Sequence, residues 1–93
     1  MLIIRPTSRF KRDVKRLQSQ NKDLNLLEKV VLKLAMGEQL GKEYRDHDLK
    51  GEYFDFRECH IKPDWLLIYK INGQALVLTL ARTGSHSELF KKM

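Results

Sequence analysis

Three histidines, His47, His60 and His86, are the side chains of this 93-residue chain best suited to moving protons. Each stands beside residues that form turns or end strands: Asp46-His47-Asp48, His60-Ile61-Lys62-Pro63-Asp64, and Thr83-Gly84-Ser85-His86. None lies inside a long apolar pattern. Histidine titrates near neutral pH and so can give or take a proton there. With Asp64 and Arg82 added, the set has the groups that cleavage of RNA by transesterification requires. A base takes the proton of the 2′-OH, a cation steadies the phosphorane, and an acid protonates the leaving 5′-oxygen. Taken singly, any of these histidines could equally be a surface or capping residue. A metal site fits the spacing less well. The histidines are thirteen and twenty-six residues apart, no His-x-x-x-His pair is present, and the single thiol, Cys59, neighbours His60.

Charge narrows the partners. Eighteen Lys and Arg oppose twelve Asp and Glu, a net charge of +6. In a small domain such an excess points first to phosphate-rich partners and second to an acidic protein. The length suits one domain over residues 1–93 with no room for a deep ligand cavity. One cysteine excludes an internal disulfide and a thiolate-rich zinc site, and fits a reducing, cytoplasmic setting. Leu2 to Ile4 is too short for a secretory signal, and the longest apolar run, Trp65 to Tyr69, is too short to cross a bilayer.

The elements that must position these groups can be read from periodicity. Leu2 to Arg5 reads as a strand stopped by Pro6. Thr7 or Ser8 can cap a helix on which Phe10, Val14 and Leu17 fall within an arc of roughly 60°. Arg9, Lys11, Arg12, Lys15 and Arg16 occupy much of its other side, either as a solvated face or as a surface for RNA or an acidic partner. Asp23 can cap a second helix carrying Leu24, Leu27, Val30, Val31 and Leu34, with Gly37 as its C′ residue. Gly41 to Gly51 reads as a loop of mixed charge. Strands follow near Tyr53–His60, Trp65–Ile71 and Ala75–Arg82. The order is therefore β-α-α-β-β-β, an α+β fold with two helices packed on one face of a mostly antiparallel twisted sheet.

Asn72-Gly73 is a strong two-residue hairpin signal. That turn would set Ile71 opposite Gln74, Trp65 opposite Leu80 and Pro63 opposite Arg82. Asp64, Arg82 and the segment leading to His86 would then meet at one end of the sheet. Trp65 and Phe90 read either as core residues or as platforms on which a splayed base could stack. Lys91 and Lys92 either extend the basic surface or fray.

Three stretches carry a resemblance. Tyr44-Arg45-Asp46-His47-Asp48-Leu49-Lys50-Gly51, then Phe56-Arg57-Glu58-Cys59-His60-Ile61-Lys62-Pro63-Asp64-Trp65, and finally Arg82-Thr83-Gly84-Ser85-His86-Ser87-Glu88-Leu89-Phe90 resemble the YafQ group of RelE-superfamily toxins of bacterial toxin–antitoxin systems. Phe10-Lys11-Arg12-Asp13-Val14-Lys15 is similar to the group's first helix, so the resemblance spans almost the whole chain. It implies a RelE-like fold and an endoribonuclease that cuts mRNA in the ribosomal A site without metal or cofactor, leaving a 2′,3′-cyclic phosphate and a 5′-hydroxyl. It implies an acidic antitoxin partner, often with a ribbon–helix–helix DNA-binding segment, alongside the ribosome and mRNA, and no membrane. The catalytic positions it implies are His47, His60, Asp64 and His86. Arg82 and Phe90 match positions that contact substrate, and Trp65, read from the strand pattern alone, is added to them as a substrate-binding candidate, with Asp64 or His60 as base, His86 as acid, and His47 and Arg82 on the phosphate. The alternatives are a non-catalytic basic RNA- or ribosome-binding module, which needs no such set of titratable groups, and a protein-interaction domain whose basic face docks an acidic helix.

Overall fold

A computed structural model describes residues 1–90; Lys91 and Lys92 lie outside the described residues. The order of elements is β1 (Ile3–Pro6), α1 (Ser8–Ser19), α2 (Leu24–Ala35), β2 (His47–Asp48), β3 (Arg57–Lys62), β4 (Trp65–Asn72), β5 (Val77–Gly84) and α3 (His86–Leu89). Single 3₁₀ turns at Lys42–Tyr44 and Gly51–Tyr53 flank β2. The sheet runs β1-β5-β4-β3-β2. The β1–β5 pair is parallel and the other three are antiparallel. The expected α+β order is found, with β2 and α3 as additions.

Both long helices start where the sequence places their caps. Thr7 Oγ1 accepts from the Phe10 N–H at 3.1 Å, and an Asp23 carboxylate oxygen accepts from the Asn25 N–H at 3.1 Å. These bonds satisfy donors that the first helical turn leaves unpaired. Gly37, with φ +78°, follows the end of α2 in the left-handed region that glycine adopts without a Cβ clash. Phe10, Leu17, Leu27, Val30, Val31, Leu34 and Ala35 pack on Cys59, Trp65, Leu67, Tyr69, Leu78 and Leu80 of the sheet. Burial pushes the Cys59 thiol up to about 12. The opposite face carries a smaller cluster of Leu66, Ile68, Ala81 and Leu89, packed against Leu49, Tyr53 and Phe56. With both faces covered, Trp65 to Tyr69 is buried throughout, which accounts for its unbroken apolar run.

Three expectations are corrected. Pro6 remains in β1, opposite Leu80, because an edge strand tolerates a missing N–H. The β4–β5 hairpin closes with four residues between Asn72 and Val77, not two. The Asn72 side chain builds that wider turn by accepting from the N–H groups of Gln74 and Ala75. Ile71 therefore faces Leu78, and a bulge that leaves Ala81 unpaired shifts the ladder once more. As a result Arg82 faces Ile68, well inside the strand pair, and Gly84 faces Leu66.

Beyond β1, the outer edge of β5 is covered by side chains of α1 and its cap. Thr7 Oγ1 donates to the Ala81 carbonyl at 3.0 Å, Asp13 accepts from the Thr83 N–H at 3.1 Å, and Arg16 donates to the Thr83 carbonyl at 2.9 Å. An edge that would otherwise expose unpaired backbone is closed without a further strand.

Candidate active site

The three histidines reach one surface from three different elements. The two residue pairs of β2 on β3 set His47 opposite Glu58. His60 follows two residues along β3, on the same face by strand alternation. His86 opens α3, directly after β5. The ring centroids of His47 and His60 are 6.3 Å apart, and those of His60 and His86 are 5.9 Å apart. Phe90 continues the row, 6.4 Å from His86, and its other neighbour is the Tyr53 ring at 6.0 Å.

Asp64 sits at the β3–β4 turn and meets α3. One of its oxygens accepts the His86 backbone N–H at 3.1 Å and faces the His86 Nδ1 at 3.0 Å. The sequence was right that Asp64 and His86 converge, although the strand pairing that brings them together differs from the expected one. The His86 N–H, then the His86 ring, hold the Asp64 carboxyl below the usual carboxylate range. Asp64 thus stays ionised at neutral pH, a poor proton acceptor and a good orienting partner. It fixes the proton of His86 on Nδ1 and leaves Nε2 facing outward.

His60 is held differently. Its Nδ1 lies 3.2 Å from the Pro63 carbonyl, a pure acceptor, so Nδ1 carries the proton. Its Nε2 is 4.0 Å from a Glu58 carboxylate oxygen. The same oxygen is 3.3 Å from His47 Nε2, while His47 Nδ1 donates to the Arg45 carbonyl at 2.7 Å. Both nitrogens of His47 therefore face acceptors. Glu58, only 4% exposed, lies between two of the three histidines and was not singled out from the sequence. The signal was present in the alternation of β3, where Glu58 and His60 share a face.

Arg82 and Trp65 are placed otherwise than expected. The Arg82 guanidinium turns to Asp13, with Nε at 2.7 Å and Nη2 at 3.1 Å from its two oxygens. It does not lie beside Asp64, because the wider hairpin and the bulge move it inward. The Asp13 hydrogen bond is the main cause that raises the Arg82 pKa. Trp65 is buried, and its Nε1 donates to Thr83 Oγ1 at 2.9 Å, so its ring face belongs to the core and not to an open stacking platform. Phe90, by contrast, is 40% exposed beside His86.

A second network locks α3 in place. Ser85 and Glu88 form a capping box, each accepting the other's backbone N–H, at 3.2 and 2.9 Å. The Ser85-His86-Ser87-Glu88 spacing is the sequence signal that would have revealed α3. Glu88 also accepts from Gln20 at 2.9 Å and pairs with Arg16 at 3.0 Å. The Ser85 N–H and Gln20 lower the Glu88 pKa, and Arg16 adds to this. Arg16 joins Asp13 at 2.9 Å, which joins Arg82. Asp13 is 3% exposed. Burial alone would raise its pKa, but hydrogen bonds from Arg82, the Thr83 N–H and Arg16 outweigh that and lower it. Among the described residues no group of three or more His, Cys, Asp or Glu side chains is disposed to hold a metal ion, and no helix is long and apolar enough to cross a membrane.

Comparison with known proteins places this geometry in a group. A family model described as the bacterial toxin of type II toxin–antitoxin system, YafQ, matches residues 2–91. The mRNA interferase toxin YafQ of Escherichia coli strain K12 is 37% identical over 86 residues, 90% of each chain. Among solved structures, a metal-bound toxin from Helicobacter pylori superposes with a TM-score of 0.90 at 52% identity, covering 97% of this chain and 100% of that one. A chain of the E. coli DinJ–YafQ complex gives 0.88 at 35% identity, covering 97% and 99%.

Proposed function

The chain belongs to the YafQ family of bacterial type II toxin–antitoxin toxins, and from that membership we propose that it is a ribosome-dependent endoribonuclease that cuts mRNA in the A site of cytoplasmic ribosomes. The observation that carries the reading is the pairing of His60 and His86, 5.9 Å apart, with Asp64 fixing the tautomer of His86. Two neighbouring imidazoles, one with its Nδ1 on a neutral carbonyl and the other with its Nδ1 on a carboxylate, suit a reaction that needs both a base and an acid.

In this reading His60 is the base. Its Nδ1 proton is held by the Pro63 carbonyl, so the lone pair on Nε2 is free to take the proton of the 2′-OH. The 2′-oxygen attacks phosphorus, the bond from phosphorus to the 5′-oxygen breaks, and His86 Nε2 hands its proton to that oxygen. The products are a 2′,3′-cyclic phosphate and a 5′-hydroxyl. Asp64 stabilises protonated His86 and is not the base, since its lowered pKa disfavours protonation. His47, held between Glu58 and the Arg45 carbonyl, lies where it can contact the phosphate. Arg82, engaged by Asp13, supports the strand that leads to His86, and Phe90 offers a face to a base. A partner antitoxin of acidic character would neutralise the toxin; E. coli YafQ forms a toxin–antitoxin complex with DinJ.

Brief induction followed by mapping of transcript 5′ ends tests this. New 5′-hydroxyl ends in translated reading frames are expected, together with growth arrest. His86→Ala should abolish both while the circular dichroism spectrum is unchanged. Arrest by folded His86→Ala would refute the mechanism. Salt-sensitive RNA binding with no new ends would favour the non-catalytic RNA-binding module.

A further inference from the structure

Next to the Asp64–His86 pair, between the α1–α2 turn and the β3–β4 turn, lies a cavity of about 710 Å³. The mechanism above does not use it, although Asp64 and Ser85 form part of its wall. Its volume falls within the range of small-molecule sites. Leu26, partly exposed, gives it an apolar floor, with the buried Leu17 and Trp65 beneath.

The charges around it have an uneven standing. Three carboxylates line the cavity, and each is already engaged. Glu88 holds Arg16, Gln20 and the Ser85 N–H. Asp23 caps α2. Asp64 receives the His86 N–H and faces its ring. Two ammonium groups, Lys22 and Lys62, also line it; both residues are exposed, and neither forms an ion pair among the described residues. Lys22 is close enough to Asp64 to act on its carboxylate. Asn21, between them in the turn, is exposed with its backbone in the left-handed region.

An acidic peptide would meet three carboxylates here. A nucleotide meets the site on better terms: its base is neutral and flat and can lie against the apolar floor, and its phosphate can reach two unpaired lysines at the rim. We propose that this cavity is a subsite for a nucleotide flanking the scissile phosphate of the RNA, the base lying against Leu26, the phosphate on Lys22 and Lys62, and the Asn21 amide reading the base edge. The inference rests on the ribonuclease reading for its substrate. It adds a place where the identity of a neighbouring base is sensed, next to the reacting groups and distinct from them.

The test is a nuclear magnetic resonance titration of the whole chain with a short RNA tetranucleotide carrying 2′-O-methyl groups, which block cleavage. Amide shifts at Asn21, Lys22 and Ser85 are expected. The Lys22→Gln, Lys62→Gln double variant should bind about tenfold more weakly. In the 5′-end maps, Asn21→Ala should relax the base preference at one position next to the cut. Equal affinity in the double variant overturns the subsite. So does perturbation of the same amides by an oligoglutamate peptide and not by RNA, which would assign the cavity to an acidic protein segment. If the wild type fills the cavity with RNA but cuts nothing in cells, the ribonuclease reading fails and with it the place beside a scissile phosphate, leaving an RNA-binding cavity. If it cuts RNA whose binding never disturbs these amides, the subsite fails and the ribonuclease reading stands.

Discussion

Glu58 is the residue on which the placement of two histidines turns. It is buried, it faces both His47 and His60, and without its charge His47 loses the carboxylate among its two acceptors. Glu58→Gln keeps the shape and removes the charge. The expected result is a fall of about 10- to 100-fold in cleavage, of the size that loss of assistance to an acid–base group produces. Initial rates on translated mRNA, with a melting curve to confirm folding, would check it; an unchanged rate would reduce Glu58 to a packing role. Chemistry-bearing residues of this kind are easily missed in a sequence. His60 and Asp64 stand out beside a proline turn, whereas Glu58 is one charge in a strand where surface carboxylates are common. Asp13 was hidden for the opposite reason. It falls among Phe10, Val14 and Leu17 on the inward arc of α1, where a carboxylate signals a buried partner, but that partner lies on β5, 69 residues away.

At the scale of elements, the short helix α3 depends on what precedes it. Gly84 ends β5 with φ +152°, and a Cβ there would stand 2.4 Å from Arg16 Nη2 and 2.9 Å from Glu88 Oε1. The glycine is what lets the Arg16–Glu88 pair close over the strand end. Gly84→Ala is expected to cost about 2 kcal/mol from backbone strain and displaced partners, and to lower cleavage by moving His86 away from His60. Urea melts and cleavage rates on the same preparation would separate the two effects; full activity in a destabilised variant would show that α3 tolerates the shift. The helices themselves were legible, because apolar period and capping residues agree with each other. The hairpin was not, because Asn-Gly signals a tight turn only if the asparagine side chain leaves the backbone alone. Here it captures two N–H groups and enlarges the loop.

For the molecule as a whole, the Asp13 network ties the first helix to the last strand. Its contribution to stability follows from the lowered pKa of Asp13. A group whose pKa is lower in the folded than in the unfolded chain stabilises the fold above its unfolded value, about 3.8 for an aspartate. That stabilisation is lost as the pH falls through the lower folded value. Asp13→Asn should therefore be less stable by about 3 kcal/mol near neutral pH, as expected when one partner of a buried pair is removed. The gap to the wild type should narrow below about pH 4. Denaturant midpoints measured across that range would show this; a gap independent of pH would mean that shape, and not charge, is what Asp13 contributes. The fold class, the two-layer arrangement and the meeting of Asp64 with His86 could be inferred from one sequence. The fate of Arg82 could not, since it depends on a bulge and on a helix that folds back across the sheet edge.

That folding back has a consequence in time. Among the described residues β1 pairs only with β5, and Asp13 and Arg16 of α1 find their backbone partners only on β5. A chain emerging from the ribosome amino end first holds these groups unmatched until β5 has been made, and His86 arrives later still. Nascent chains stalled just after Asn72 are expected to be cut readily by added protease and to become resistant only once β5 is free; resistance at the earlier point would refute this order of events.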